Sequence, residues 1–317
     1  LTKSFVGVDL GGTSMKIGVT DSTGNLLAQT EKPTIAEEGA ERTIHRLNVH
    51  IKELVASAGI SWDEVSGIGL GLPGFLDLKQ GIVIHLTNLH WEQVPICKQM
   101  ESSLDKPVIM NNDANVAALG ESWVGAGVGV DDLVCVTLGT GVGGGIIANG
   151  QLVSGFRGFA GEIGHIQVDS HGQACNCGCN GCLETIASAT GMVNQATSAI
   201  QAGTSTLLTQ EPTITPAEIF AAAAKGDALA KQIIQRTVEA LAQGFAHLSV
   251  ILNPQRFVVG GGVSNAGEAL FQPLRQAYRQ IAQQHSAKDV EIVPAKLGNQ
   301  AGIIGAAGLV ALFEDPS

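Results

Sequence analysis

Phe5, Val6 and Val8 open the chain as an apolar strand that runs into Asp9-Leu10-Gly11-Gly12-Thr13, after which Met15, Ile17 and Val19 alternate with Ser14, Lys16 and Gly18. Strand, glycine turn, strand predicts a hairpin. A second turn at Asp21-Ser22-Thr23-Gly24-Asn25 leads into Leu26 and Leu27, so three consecutive antiparallel strands begin the fold. Ile44, Leu47, Ile51, Leu54 and Val55 then share one face of a helix over residues 37–57, which Gly59 stops. Residues 67–70 read as a buried strand entering Gly71-Leu72-Pro73-Gly74. Residues 107–110 make another, ending in Asn111-Asn112-Asp113-Ala114-Asn115.

The opening pattern returns in the second half, where residues 133–138 are apolar, Gly139 to Gly145 hold a glycine-rich turn, and Ile146-Ile147-Ala148 resume a strand before Asn149-Gly150. The architecture reads as duplicated. Thr215-Pro216-Ala217-Glu218 has the hydroxyl, proline and glutamate of a helix start. A long helix over residues 228–252 carries Leu229, Ile233, Leu241, Phe245 and Leu248 and stops at Asn253-Pro254. Residues 256–259 form a strand into Gly260-Gly261-Gly262. The small residues of Ala301-Gly302-Ile303-Ile304-Gly305-Ala306-Ala307-Gly308 suit a helix packed tightly on a neighbour.

At 317 residues and 44% apolar content the chain can bury large cores, as one large domain or as two lobes. A net charge of −11 without any run of Lys or Arg argues against nucleic acid and anionic membrane partners. Leu1-Thr2-Lys3-Ser4-Phe5 enters the apolar alternation at once, with no long signal region and no stretch of about 18 apolar residues. A cytoplasmic protein is expected.

His165, Cys175, Cys177 and Cys182 place one imidazole and three thiols within a short segment, the ligand set of a four-coordinate structural zinc site. A disulfide framework fits poorly, because a Cys-x-Cys bridge is strained and a chain of this size needs no staples. Cys179 is a fourth thiol that can replace His165 as a ligand. Cys97 and Cys135 sit in apolar surroundings as ordinary core residues. Glu162 and Glu184 bracket the cluster, so a metal there would bring two carboxylates and a ring nitrogen together as a polyol pocket.

Gly139 to Gly144 formally match G-x-G-x-x-G, yet a strand follows rather than a helix, and no acidic residue stands at the expected distance. No Gly-Lys pair exists, which excludes a Walker A loop. What remains is one hairpin turn in each half, whose N–H groups and threonines can grip phosphate oxygens from two sides.

In this order, Asp9-x-Gly-Gly-Thr, Leu72-Pro73-Gly74, Asn112-Asp113-Ala114-Asn115, Leu138-Gly139-Thr140-Gly141, Gly161-Glu162-x-Gly164-His165, the cysteine segment through Glu184, and Gly260-Gly261-Gly262 resemble the ROK family of sugar kinases and repressors. Within it the stretch from Asn111 to Glu121 is most similar to the bacterial glucokinases. The resemblance implies an α/β fold of two ribonuclease H-like lobes of the actin and hexokinase superfamily. Residues 1–118 with 301–317 would form the small lobe, and 119–300 the large lobe carrying the zinc segment. ATP, Mg2+ and a hexose would meet in the cleft between them.

On this resemblance Asp113 is the general base towards the sugar 6-hydroxyl, an exposed aspartate of ordinary pKa about 3.9 acting by position and late proton transfer. Asp9 would hold Mg2+. Gly11, Gly12 and Thr13, with Gly139, Thr140 and Gly141, would hold the phosphates, and Gly260, Gly261 and Gly262 would lie against adenosine. Lys16 can reach a phosphate or point equally well into solvent, and is not assigned. Gly74, Asn112, Asp113, Glu162, His165 and Glu184 would bind the sugar, with Asn88 beside them, and the zinc would be structural. Glucose is the expected substrate; N-acetylmannosamine, N-acetylglucosamine and fructose are the alternatives. A sugar-responsive repressor would need a DNA-binding module, for which a first strand beginning near Phe5 leaves no room. The family resemblance suggests a homodimer or a dimer of dimers.

Overall fold

The alternating segments at the start become a meander of β1 (Ser4–Leu10), β2 (Ser14–Asp21) and β3 (Leu26–Pro33). The computed structural model describes residues 3–210 and 212–313; Leu1, Thr2 and residues 314–317, assigned above to the small lobe, lie outside the described residues. Helix α1 (Gly39–Ser57) buries Ile44, Leu47, Ile51, Leu54 and Val55, and a 3-10 turn over Ala36–Glu38 takes up the first residues of the expected helix. Strand β4 (Val65–Leu72) returns parallel to β1. β5 (Phe75–Asp77), β6 (Ile82–Leu86) and β7 (Trp91–Val94) build a small antiparallel sheet that the sequence reading does not contain. Then α2 (Ile96–Leu104) leads to β8 (Val108–Asn112), completing a five-stranded sheet of order β3-β2-β1-β4-β8.

Helix α3 (Asp113–Val124) carries the chain into a second sheet made from β9 (Leu133–Leu138), β10 (Val142–Ala148) and β11 (Gln151–Leu152). The helices α4 (Leu183–Ala187), α5 (Ala189–Gln201), α6 (Pro216–Ala224) and α7 (Ala228–Leu252) precede β12 (Arg256–Gly260). After α8 (Glu268–Ile281) and β13 (Glu291–Pro294), the described chain ends in α9 (Ala301–Phe313). The second sheet has the order β11-β10-β9-β12-β13, so both sheets pair an antiparallel meander with two parallel strands. That is the duplication expected from the repeated glycine turns. At the start of α6, Thr215 and Glu218 form the anticipated capping box. Among the described residues no helix is long and apolar enough to cross a membrane.

Helix α9 lies directly on the first sheet. Register places Gly7 of β1 beside Gly69 of β4. A Cβ added to Gly7 would fall 1.8 Å from the Ile303 carbonyl oxygen, and one on Gly69 1.7 Å from that of Ala306. On its other side a Cβ on Gly305 would lie 1.6 Å from the Val116 oxygen of α3. No side chain fits at these three points, so the small-residue run is a packing requirement.

Gly305→Ala should therefore force α9 away from α3. We expect at least about 2 kcal/mol of lost stability, read as a lower urea midpoint at unchanged slope. An unchanged midpoint would contradict this contact.

Candidate active site

Strand β1 ends at Asp9, and the hairpin register sets Lys16 of β2 directly across from it, with Nζ 3.7 Å from Asp9 Oδ2. Burial raises the Asp9 pKa above its ordinary 3.8, Lys16 pulls it down, and the Asp113 charge adds to the rise. Both residues face a cleft of about 700 Å3 that opens between the two sheets.

Asp113 enters the cleft from the head of α3. Asn111 Oδ1 accepts from Asn112 N (2.8 Å) and from Asn115 Nδ2 (3.0 Å), which fixes the turn out of β8. Asn112 Oδ1 caps the helix, accepting from Ala114 N (2.9 Å) and Asn115 N (3.4 Å). The first helical residue is then Asp113, whose Oδ1 accepts from Ala114 N at 2.8 Å. Its carboxyl is exposed to the cleft, and partial desolvation by the surrounding walls raises its pKa above 3.8. The Ala114 amide opposes this, Glu162 adds to it, and the Asn112 side chain opposes it again. The aspartate is exposed as expected, but its pKa stands above the ordinary value: a carboxyl that keeps its proton more tightly is a better base once ionised.

Opposite Asp113, Glu162, His165 and Glu184 line the same cleft. His165 Nδ1 faces the cysteines, 3.6 Å from Cys175 Sγ, and lies 3.8 Å from Glu184 Oε1; its Nε2 points to Glu162 at 4.0 Å. The candidate ligand atoms of His165, Cys175, Cys177 and Cys182 all lie within 4.8 Å of one another, and Cys179 is exposed outside that set. Burial pushes the Cys97 and Cys135 thiols up to about 12, as expected of core residues.

The turn between β9 and β10 closes through a Gly139 N–H donating to the Gly141 carbonyl at 3.0 Å. It lines the cleft through Gly139, Thr140 and Gly141, and so do Gly260, Gly261 and Gly262 after β12. Gly141 runs against Glu184, since a Cβ there would lie 2.6 Å from Glu184 Oε2.

Several expected residues stand back from the lining. Gly11, Gly12 and Thr13 make the turn between Asp9 and Lys16, and Gly12 packs on Asn88, where a Cβ would come within 2.8 Å of the Asn88 Cβ. Gly74 has φ +86° and lies under the His85 carbonyl, in the turn between β4 and β5. Asn112 acts on Asp113 and the helix end. Conversely, Lys16, Ser264, Asn265, Asn299 and Glu121 line the cleft without having been assigned. For Lys16 the signal was available: a two-strand hairpin about the Gly-Gly turn puts it opposite Asp9. The cleft of this acidic protein thus contains a cation of its own.

Two copies of one α/β sheet with a cleft between them, lined by carboxylates and by the glycine turns that follow β9 and β12, define a two-lobed fold. The ROK family model matches residues 5–312, and the chain belongs to that family. A glucokinase of Halalkalibacterium halodurans is 40% identical over 98% of this chain and 96% of its own. The crystal structure of a ROK hexokinase from Thermus thermophilus superposes with a TM-score of 0.84 at 33% identity, covering 98% of both chains. A ROK glucokinase from Streptomyces griseus, solved with glucose and AMPPNP, gives 0.76 at 36% identity, covering 96% of this chain and 98% of that one. The fold is that of the ROK sugar kinases, of actin and hexokinase type.

Lys16→Met should move the Asp9 carboxyl pKa further up, because the lysine is the main influence holding it down. Carbon-detected NMR titration of the aspartates measures this, and an unmoved Asp9 would show that the pair does not form.

Proposed function

We propose that the chain is an ATP-dependent hexose kinase that phosphorylates glucose at its 6-hydroxyl. The observation that carries this reading is Asp113 at the head of α3, facing a cleft that also holds Asp9 and the glycine turns after β9 and β12. Relatives named glucokinase support it at 34–40% identity. Other relatives are named xylose repressor and N-acetylmannosamine kinase, so the substrate is a matter for assay.

In the proposed reaction the Asp113 carboxylate accepts the proton of the sugar 6-hydroxyl as that oxygen bonds to the γ-phosphorus, the bond to the bridging oxygen breaks, and ADP leaves. Asn112 orients the carboxylate. Glu162, His165 and Glu184 would hold the ring hydroxyls through paired acceptors and a donor, positioning the 6-hydroxyl at Asp113. Thr140 and Gly141, in the turn that the Gly139 N–H closes, would present backbone N–H groups to phosphate oxygens, and Gly260 to Gly262 would leave room for the nucleoside. The Asp9 carboxylate suits Mg2+, which takes one or two carboxylates and fills its shell with water and phosphate. When bound, Mg2+ would supply the counter-charge to the phosphates, alongside Lys16.

The cysteine segment fits zinc. Ligand atoms around a tetrahedral zinc with bonds of about 2.3 Å sit roughly 3.5–3.8 Å apart, and the Cys175–His165 and Cys177–Cys182 pairs are each 3.6 Å apart. Four protein ligands close the shell, so the metal would be structural, directing Glu162, His165 and Glu184 rather than taking part in phosphoryl transfer.

A coupled assay with ATP, Mg2+ and a panel of glucose, N-acetylmannosamine, N-acetylglucosamine and fructose tests the reading. Turnover highest on glucose is expected; binding of glucose by calorimetry with no hexose phosphorylated would defeat it. Asp113→Asn should lower kcat by about 10²–10⁴-fold with little change in glucose affinity. Because only the ionised carboxyl acts as base and burial raises its pKa, wild-type kcat/KM should fall as pH drops through a value above 3.8. Cys177→Ser should lose the metal, measured by elemental analysis, together with stability and sugar affinity.

A further inference from the structure

Glu121 sits near the end of α3, about two helical turns beyond Asp113, and is only 1% exposed. A buried carboxylate at a helix C-terminus faces the negative end of that helix and needs strong donors to remain there. It has three. Ala126 N donates to Oε2 at 2.7 Å, Lys296 N donates to both oxygens at 3.0 and 3.1 Å, and Leu297 N donates to Oε1 at 2.7 Å. The backbone is shaped around it, since a Cβ on Gly125 would lie 2.2 Å from Oε2.

The positions of those donors matter. Lys296 and Leu297 immediately precede the 3-10 turn Gly298–Gln300 and α9, so the carboxylate lies at the positive end of that helical run. The chain passes between the two sheets through α3 and again through the segment from β13 to α9. Glu121 ties these two passages together. The segment it holds is also a wall of the cleft: Ala295, Gly298 and Asn299 line it beside Gly260, Gly261 and Gly262.

We infer that Glu121 is a positioning residue that fixes the wall formed by residues 295–299 relative to the helix bearing Asp113, and so sets affinity for the nucleotide but not for the sugar. The inference rests on the kinase reading above in taking that end of the cleft as the nucleotide side. Glu121→Gln keeps the size of the side chain but turns an N–H2 group towards backbone donors, so at least one of them loses its acceptor.

Calorimetry with AMPPNP and, separately, with glucose tests it on the full chain. The expected result for E121Q is AMPPNP binding weakened about tenfold or more with glucose binding within about twofold of wild type, since only one wall is released. Equal nucleotide affinity in variant and wild type, or an equal loss for both ligands, would overturn the inference. Failure of wild type to bind AMPPNP at all would instead defeat the kinase reading. Where E121Q does not fold, amide exchange in the unaltered protein decides. Coupling is reciprocal, so AMPPNP must slow exchange at Lys296 and Leu297; unchanged exchange there overturns the inference.

Discussion

A helix can touch the backbone of a sheet only where neither surface carries side chains, and α9 meets β1, β4 and α3 on those terms. Gly7, Gly69 and Gly305 leave main-chain atoms within what would be a single Cβ of one another. Such contacts do not slide, because there is no flexible side chain to yield. The positions of two cleft carboxylates descend from this arrangement. Asp9 ends the strand on which α9 lies, and Gly302 at the head of α9 is packed against its carboxyl group. Asp113 begins the helix that Gly305 locks to α9.

The electrostatics of the cleft follow from placing several carboxylates together inside an acidic protein. Burial raises the pKa of Asp9 and Asp113, with Asp113 adding to the rise at Asp9 and Glu162 to that at Asp113; Lys16 offsets part of it at Asp9, and hydrogen bonds from Ala114 and Asn112 offset part of it at Asp113. These groups differ in what they have left to offer. Glu121 has its acceptor capacity occupied by backbone amides and serves as structure, whereas Asp113 receives one N–H from the backbone and keeps a face towards the cleft. Two carboxylates on one helix are thereby given different work by their donors alone.

Much of this was legible in the residues. The two glycine turns announced duplicated meanders, the small-residue run announced tight packing, and the Cys and His spacing announced a metal-sized cluster. What escaped was written in weaker signals. The strands β5, β6 and β7 are three to five residues long, too short for alternation to separate them from a loop. Helix α3 carries so many small apolar residues on all sides that no amphipathic stripe marks it. Lys16 needed the strand register and not just its residue type. At Gly11, Gly12, Thr13 and Gly74 the motif alone does not separate a phosphate from another stretch of chain as the close neighbour: Gly12 packs on Asn88 and Gly74 on the His85 carbonyl. Glu121 gave little local sign, since two of its three donors come from 175 and 176 positions later in the sequence.

Glu184 belongs to two neighbourhoods at once. One of its oxygens lies 3.3 Å from Cys175 Sγ in the cysteine loop, and the other crowds Gly141 in the turn after β9. A lineage that altered the loop to admit a differently substituted ring would shift that side chain, and with it the room available to the glycine turn. The pocket therefore has no independently adjustable halves. A change on either side of this one glutamate calls for a compensating change on the other, so the cysteine loop and the glycine turn should vary together.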